Sequence, residues 1–160
     1  MRAISRARGR RPAQSMVEFA LILPLLVAVL FGIIELGILI NVYVGMTNSA
    51  REAARAGSVY QESAPLLTTA DATAADTRRL QYISQVITST ISPMINPVTD
   101  LNVTVSYTPT TALDTNLYRA GDTVSVQLRH DHQLFFGMLG HGQITLKASS
   151  AMRIEPGGTQ

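Results

Sequence analysis

Two acids and a small group of histidines are the residues best placed for chemistry in this sequence. Glu18 and Glu35 stand at the edge of, and inside, an otherwise uncharged apolar run. His130-Asp131-His132, with His141 nearby, is the one cluster of metal-like character. Alternate histidines at a strand end put both rings on one face, an arrangement a cation can use. No array of thiols or carboxylates accompanies them to complete a coordination shell, so no metal and no other cofactor is assigned. Cysteine is absent, which excludes disulfides, zinc–thiolate sites and thiol catalysis. There is no glycine loop to cradle phosphate, no nucleophile elbow and no carboxylate pair on a soluble face. Neither Glu is therefore read as a general acid, no catalytic residue is named, and no small-molecule substrate is expected. The chain does not read as an enzyme.

The element that positions both acids is a membrane segment. From Phe19 to Ile40 the sequence runs FALILPLLVAVLFGIIELGILI, with sixteen Leu, Ile, Val or Phe residues and Glu35 as its one charge. At roughly −0.5 kcal/mol each, those side chains favour insertion by ~8 kcal/mol, against ~3 kcal/mol for one acid near the middle. Insertion wins. Twenty-two residues also match the ~20 that a helix needs to cross a bilayer. A buried helix of a soluble protein is rarely so long and so apolar on every side. A cleaved secretory signal is disfavoured, because the run is too long and Asn41 to Gly45 offer no small-x-small cleavage site. Arg10–Arg11 lacks the remainder of a twin-arginine signal.

Charge fixes the orientation. Arg2, Arg6, Arg8, Arg10 and Arg11 supply five of the thirteen basic residues, and no acid precedes Glu18. Without residues 1–13 the balance is 8 basic against 11 acidic, so the basicity belongs to a tail and not to a nucleic-acid surface. The positive-inside rule then keeps the N-terminus in the cytoplasm and sends the C-terminal part across the membrane. Pro24 removes one helical hydrogen bond and is expected to kink the span. Glu18 needs a cationic partner at this depth or must titrate to neutral. Arg10 or Arg11 at the headgroup level would serve. Glu35 lies about 100° around the helix from Glu18, so the two do not form a pair. It sits either near the outer interface or against a partner helix.

Residues 10–37, RRPAQSMVEFALILPLLVAVLFGIIELG, resemble the N-terminus of TadE-like proteins, pseudopilins of the tight-adherence (Flp-type) pilus system. The shared features are a basic leader, a small residue at a cleavage point, a Glu five residues beyond it, and a run with Val17-Glu18-Phe19-Ala20-Leu21 and Leu23–Pro24. A second family feature follows the span as Asn48-Ser49-Ala50-Arg51-Glu52-Ala53-Ala54-Arg55. The matches cover about a third of the chain. The resemblance implies cleavage by a prepilin peptidase between Ala13 and Gln14. Ala13 replaces the Gly usual in the wider pilin family, and both are small. It also implies that Glu18 acts in assembly. The new α-amino group at Gln14 is cationic near neutral pH, and a carboxylate four positions on lies on its face or reaches a neighbour's. In low dielectric, subunits that bring amine and acid together are favoured in one register.

A pilin-like α+β architecture is expected around this helix. Thr47 to Gly57 should continue it beyond the membrane, with Ala50, Ala53, Ala54 and Gly57 as a slim packing surface and Glu52 paired to Arg55. Arg51 and Arg55 are either a solvated face or an assembly surface. Gly57 to Thr69 reads as a loop interrupted by Pro65. A second, amphipathic helix is predicted over about Asp71–Ile91, burying Leu80, Ile83, Ile87 and Ile91, with Arg78, Arg79, Gln81 and Gln85 mostly opposite. Pro93 and Pro97 end it. Three antiparallel strands follow, with inward faces Leu101, Val103, Val105 and Tyr107, then Val124, Val126 and Leu128, then Ile144, Leu146, Ala148, Met152 and Ile154. Gly121–Asp122 marks the turn into the second strand. Leu134, Phe135, Phe136, Met138 and Leu139 read as core, as membrane-facing packing, or as a patch for a pilus partner.

The expected organisation is thus a basic leader (1–13), a transmembrane helix with its extension (14–57), an extracytoplasmic α+β unit (58–155) and a tail (156–160). The resemblance implies a minor pseudopilin of the inner membrane whose partners are lipid, the peptidase and other pilins. An unprocessed, membrane-anchored binding domain is the rival reading.

Overall fold

The computed structural model describes residues 11–59, 69–93, 95–96, 99–108, 121–134 and 142–154. Its dominant element is helix α1, Arg11–Val59, 49 residues that continue through Pro24 without interruption. Helix α2, Thr69–Thr90, follows, and then strands β1 (Leu101–Thr108), β2 (Thr123–Gln133) and β3 (Gln143–Arg153). The strands form one antiparallel sheet in the order β1-β2-β3. The layout is the α+β arrangement read from the sequence: a long apolar N-terminal helix, a second helix and a three-stranded sheet.

Period-two alternation decides which sheet face is covered. In β2, Val124, Val126, Leu128 and His130 are buried and the residues between them point to the open face. The register aligns Leu101, His130 and Leu146 across the sheet, and Val103, Leu128 and Ala148 in the next row. The inward faces of β1 and β3 are those expected, but cover thins towards the edges: Val103 and Ile144 remain largely exposed. Gly121 has φ 89°, a conformation L side chains rarely adopt, and so permits the turn that leads into β2. Its N–H donates to the Ile154 carbonyl, and the Ile154 N–H to that of Asp122, closing this end of the sheet.

The core lies between the sheet, α2 and the C-terminal half of α1. Val42, Met46, Ala50, Ala53 and Ala54 of α1 meet Ile83 and Ile87 of α2 and the β2 valines. Alanine and serine let α1 come close: the Thr90 hydroxyl of α2 donates to Ser49 Oγ at 3.1 Å. A Cβ on Gly57 would stand 2.8 Å from Ile83 Cδ1 and 3.4 Å from Val124 Cγ2, so the helix backbone itself lines this contact. Two details of α2 differ from the sequence reading. Leu80 is 40% exposed, because it falls beside the narrow stripe of Ala75, Ile83 and Ile87 that is buried. Arg79 is not opposite the buried face but half-buried, 3.6 Å from Asp76 one turn earlier. α2 ends at Thr90, three residues before Pro93, which lacks the N–H to continue it.

Candidate functional site: the lipid-facing helix and its junction with the sheet

Between Glu18 and Glu35 the helix carries sixteen consecutive residues without a charge, about 24 Å of axis. Helix α1 is long and apolar enough to cross a membrane, with mean hydropathy 2.7 in its most apolar window and none of that window buried. Over residues 14–26 exposure extends around the whole circumference: Met16, Phe19, Leu21 and Leu25 are all more than 60% open. A core helix of a soluble protein hides such a surface. Bare apolar residues on every side need an apolar surrounding instead.

At the N-terminal end the Gln14 amide donates to Glu18 Oε1 at 3.1 Å, so these side chains share one helix face at i,i+4 spacing. Ala13 lies in the opening turns of α1, together with the Ala13–Gln14 bond. The first four backbone N–H groups of a helix have no partner within it. Opening this bond to a protease therefore disturbs few hydrogen bonds.

Glu35 is held differently. It is only 8% exposed, and its Oε1 lies 3.3 Å from Nε2 of His132 near the end of β2. The contact is a hydrogen bond, and an ion pair when the imidazole is protonated. His130, two residues back on the same face, places Nδ1 2.8 Å from the Asp100 carbonyl, and the two rings lie 5.7 Å apart. Both rings thus share a face, as the alternation implies, yet each is occupied with a different protein group. No group of three metal-ligating side chains occurs among the described residues, and His141 lies outside them. Of the two positions read for Glu35, the fold supplies a third element: its partner is the chain's own sheet. Sequence reasoning passed over His132 as that partner. The signal available was a pair of histidines facing inward at the end of a strand with no ligand set.

The segment after the span divides cleanly by face. Ser49, Ala50, Ala53 and Ala54 are buried against α2 and the sheet, while Asn48, Arg51, Glu52 and Arg55 are exposed. The expected Glu52–Arg55 ion pair is not formed, and neither side chain bonds to another described residue. On the open face of the sheet, Asp131 accepts hydrogen bonds from the Thr145 hydroxyl and from Arg129. The Thr145 bond first, and the Arg129 charge after it, hold the Asp131 carboxyl below the usual range.

Comparison with curated proteins and with solved structures returned no match. The family model described as TadE-like protein matches residues 13–55. The matched stretch starts at Ala13, contains Glu18 and Glu35, and ends on the last arginine of the exposed ridge. That family is pilus-related, structural and membrane-associated, in keeping with a helix able to cross a bilayer. Helix α1, from Ala13 to Arg55, is similar to that family.

Proposed function

We propose that the protein is a TadE-like minor pseudopilin that serves assembly of tight-adherence pili, anchored in the inner membrane by α1 with its N-terminus in the cytoplasm. Residues 1–13 are its leader, removed by a prepilin peptidase at Ala13–Gln14. The α+β unit lies on the far side of the membrane, and other pilins are its partners.

The observation that carries this reading is the depth it gives Glu18. Glu35 is the first buried residue on α1, and in this reading the outer boundary of the hydrocarbon lies near it. Glu18 is seventeen residues earlier, about 26 Å along the axis, whereas the hydrocarbon is ~30 Å thick. That puts its carboxylate a few ångströms inside the inner boundary, below the headgroups. A carboxylate there is costly and favours a neighbour that brings a cation. The α-amino group released at Gln14, on a second subunit or on the same one, answers that need. The exposed ridge of Asn48, Arg51, Glu52 and Arg55 offers a further contact surface higher on the same helix.

Two measurements test the proposal together. The intact mass of membrane-extracted protein from cells with active peptidase should lack residues 1–13. Co-purification with the major pilin should fail for Glu18→Ala while membrane retention persists. A full-length mass, with co-purification indifferent to Glu18, would instead favour an anchored binding module that is never processed.

A further inference from the structure

Strand β2 descends along α1 towards the membrane. At its start Val124 packs at Gly57, and near its end His132 holds Glu35. Between those levels the helix covers about 33 Å, and the eight residues of strand cover about 26 Å, so strand and helix run nearly antiparallel. The β2–β3 end of the sheet therefore points at the lipid. Leu134 lies two residues past His132, about 7 Å further down, at the height of Phe31 on the helix.

Burial on α1 agrees with that height. Val27 and Phe31 are half-buried, whereas residues 28–30 and 32–34 are exposed. Both lie on the stripe that continues through Glu35, Ile38 and Val42, so cover of this face extends below Glu35. The chemistry of the sheet changes along the same direction. Asp131 and Thr145 are the last polar pair with a charge. From His132 to Ile144 the sequence HQLFFGMLGHGQI holds no Asp, Glu, Lys or Arg. At this end Leu134 is half-buried and Ile144 is 39% exposed, and the Leu134 N–H donates to the Gly142 carbonyl at 3.2 Å. Residues 135–141, which join the two strands, lie outside the described residues.

We propose that the β2–β3 end of the sheet is a second membrane contact, seated in the outer interfacial layer of the bilayer that α1 crosses. It rests on the reading of α1 as a membrane span. The depth is bounded from both sides. Unpaired strand ends are not tolerated in hydrocarbon, which keeps the sheet near the surface. The ~7 Å reach below Glu35 matches the ~5–10 Å at which apolar faces lie in the headgroup–acyl boundary. Lipid is the occupant because this surface is continuous with the lipid-facing half of α1. Two contacts, unlike one, also fix the rotation of the sheet about the helix axis.

Absence of cysteine makes the test direct. Single cysteines are placed in the full chain at exposed Gln143, at exposed Thr108 on the far end of the sheet, and at Leu26 within the span. Each carries an environment-sensitive fluorophore in phosphatidylcholine–phosphatidylglycerol vesicles. Quenching is read with lipids bearing a nitroxide at a shallow or at a deep acyl position, and with aqueous iodide. The expected result is strong lipid quenching at Gln143, with iodide quenching several-fold weaker than at Thr108. Equal iodide quenching at the two positions, without lipid quenching at Gln143, overturns the proposal. Protection of Gln143 from both quenchers also overturns it and assigns that end to a protein partner. Lipid quenching at Leu26 separates these failures from failure of the span reading, in which Leu26 itself stays dark to lipid.

Discussion

Gly45 is where α1 meets the chain just past α2, and a single methyl group there tests whether that approach is as close as the fold requires. A Cβ at this position would lie 2.9 Å from Ser92 Cβ, 3.4 Å from its N and 3.6 Å from its Cα. Favourable carbon contacts begin at about 3.5 Å, so Ser92 must retreat by more than half an ångström. The obstructing atoms belong to backbone or to the first side-chain carbon, which no rotamer change can move. Overpacking of this kind costs roughly 1–3 kcal/mol. Replacing Gly by Ala inside a helix returns about 1 kcal/mol. The net effect of Gly45→Ala is then a destabilisation of about 0–2 kcal/mol. Gly37→Ala is the matched control, since nothing lies within 4 Å of its Cβ and only the helical gain remains. The difference between the two variants isolates the clash at ~2 kcal/mol, which for a unit of about 100 residues is a gap of about 8–16 °C in Tm. Tyrosine fluorescence follows the thermal transition in detergent, as the chain has five Tyr and no Trp. A Gly45→Ala Tm equal to or above that of Gly37→Ala would refute the argument that α1 touches the backbone at Ser92, just past α2.

Three further outcomes are expected. A double-mutant cycle on Glu35→Gln and His132→Ala should give a coupling of about 1 kcal/mol in unfolding free energy, below the ~1.5–3 kcal/mol of a charged hydrogen bond because 3.3 Å is long; strict additivity would deny the contact. Glu18→Leu should raise retention in carbonate-washed membranes, since removing the acid favours insertion by up to ~3 kcal/mol, and should still abolish co-purification with the major pilin. Normal co-purification would sink the assembly role. Finally, Asp131 should titrate below its ordinary value, and Thr145→Ala should move the midpoint upward by removing the largest cause of the shift. A depressed carboxyl stabilises the fold above its unfolded-state value, and that stability is lost as pH falls through the folded value. The carboxyl resonance of Asp131 in an NMR titration reads both, and an unchanged midpoint in the variant would contradict the assignment to Thr145.

Local pattern was enough for most elements and for none of the junctions. Ala50, Ala53, Ala54 and Gly57 were legible as a packing surface because small residues at helical spacing have few other uses, and all four are buried. Val124, Val126 and Leu128 were legible for the same reason at period two. The Glu35–His132 contact joins residues 97 positions apart, and no periodicity reports which way a strand runs along a distant helix. Its absence from the sequence reading left Glu35 between two readings and the histidines without a use. Leu80 shows the complementary failure. Spacing put it on the stripe with Ile83, but the width of that stripe is set by how closely α1 and the sheet approach, which is a tertiary quantity. At Glu52 and Arg55, spacing allowed an ion pair whose worth on an open helix face is small, ~0.2–0.5 kcal/mol, too little to hold two long side chains together.

Helix α1 spans 49 residues, about 74 Å of helical rise, as one continuous helix that is bare at one end and built into the sheet at the other. Mechanically it is a shaft. Pulling on the bare half, as withdrawal from a bilayer would do, loads the alanine stripe and the valines of β2 through a helix with no break between them. Tension along the rod shears the helix past the strand beside it, a direction in which many small contacts must yield at once. A protein of this design can be lifted bodily without being pulled apart.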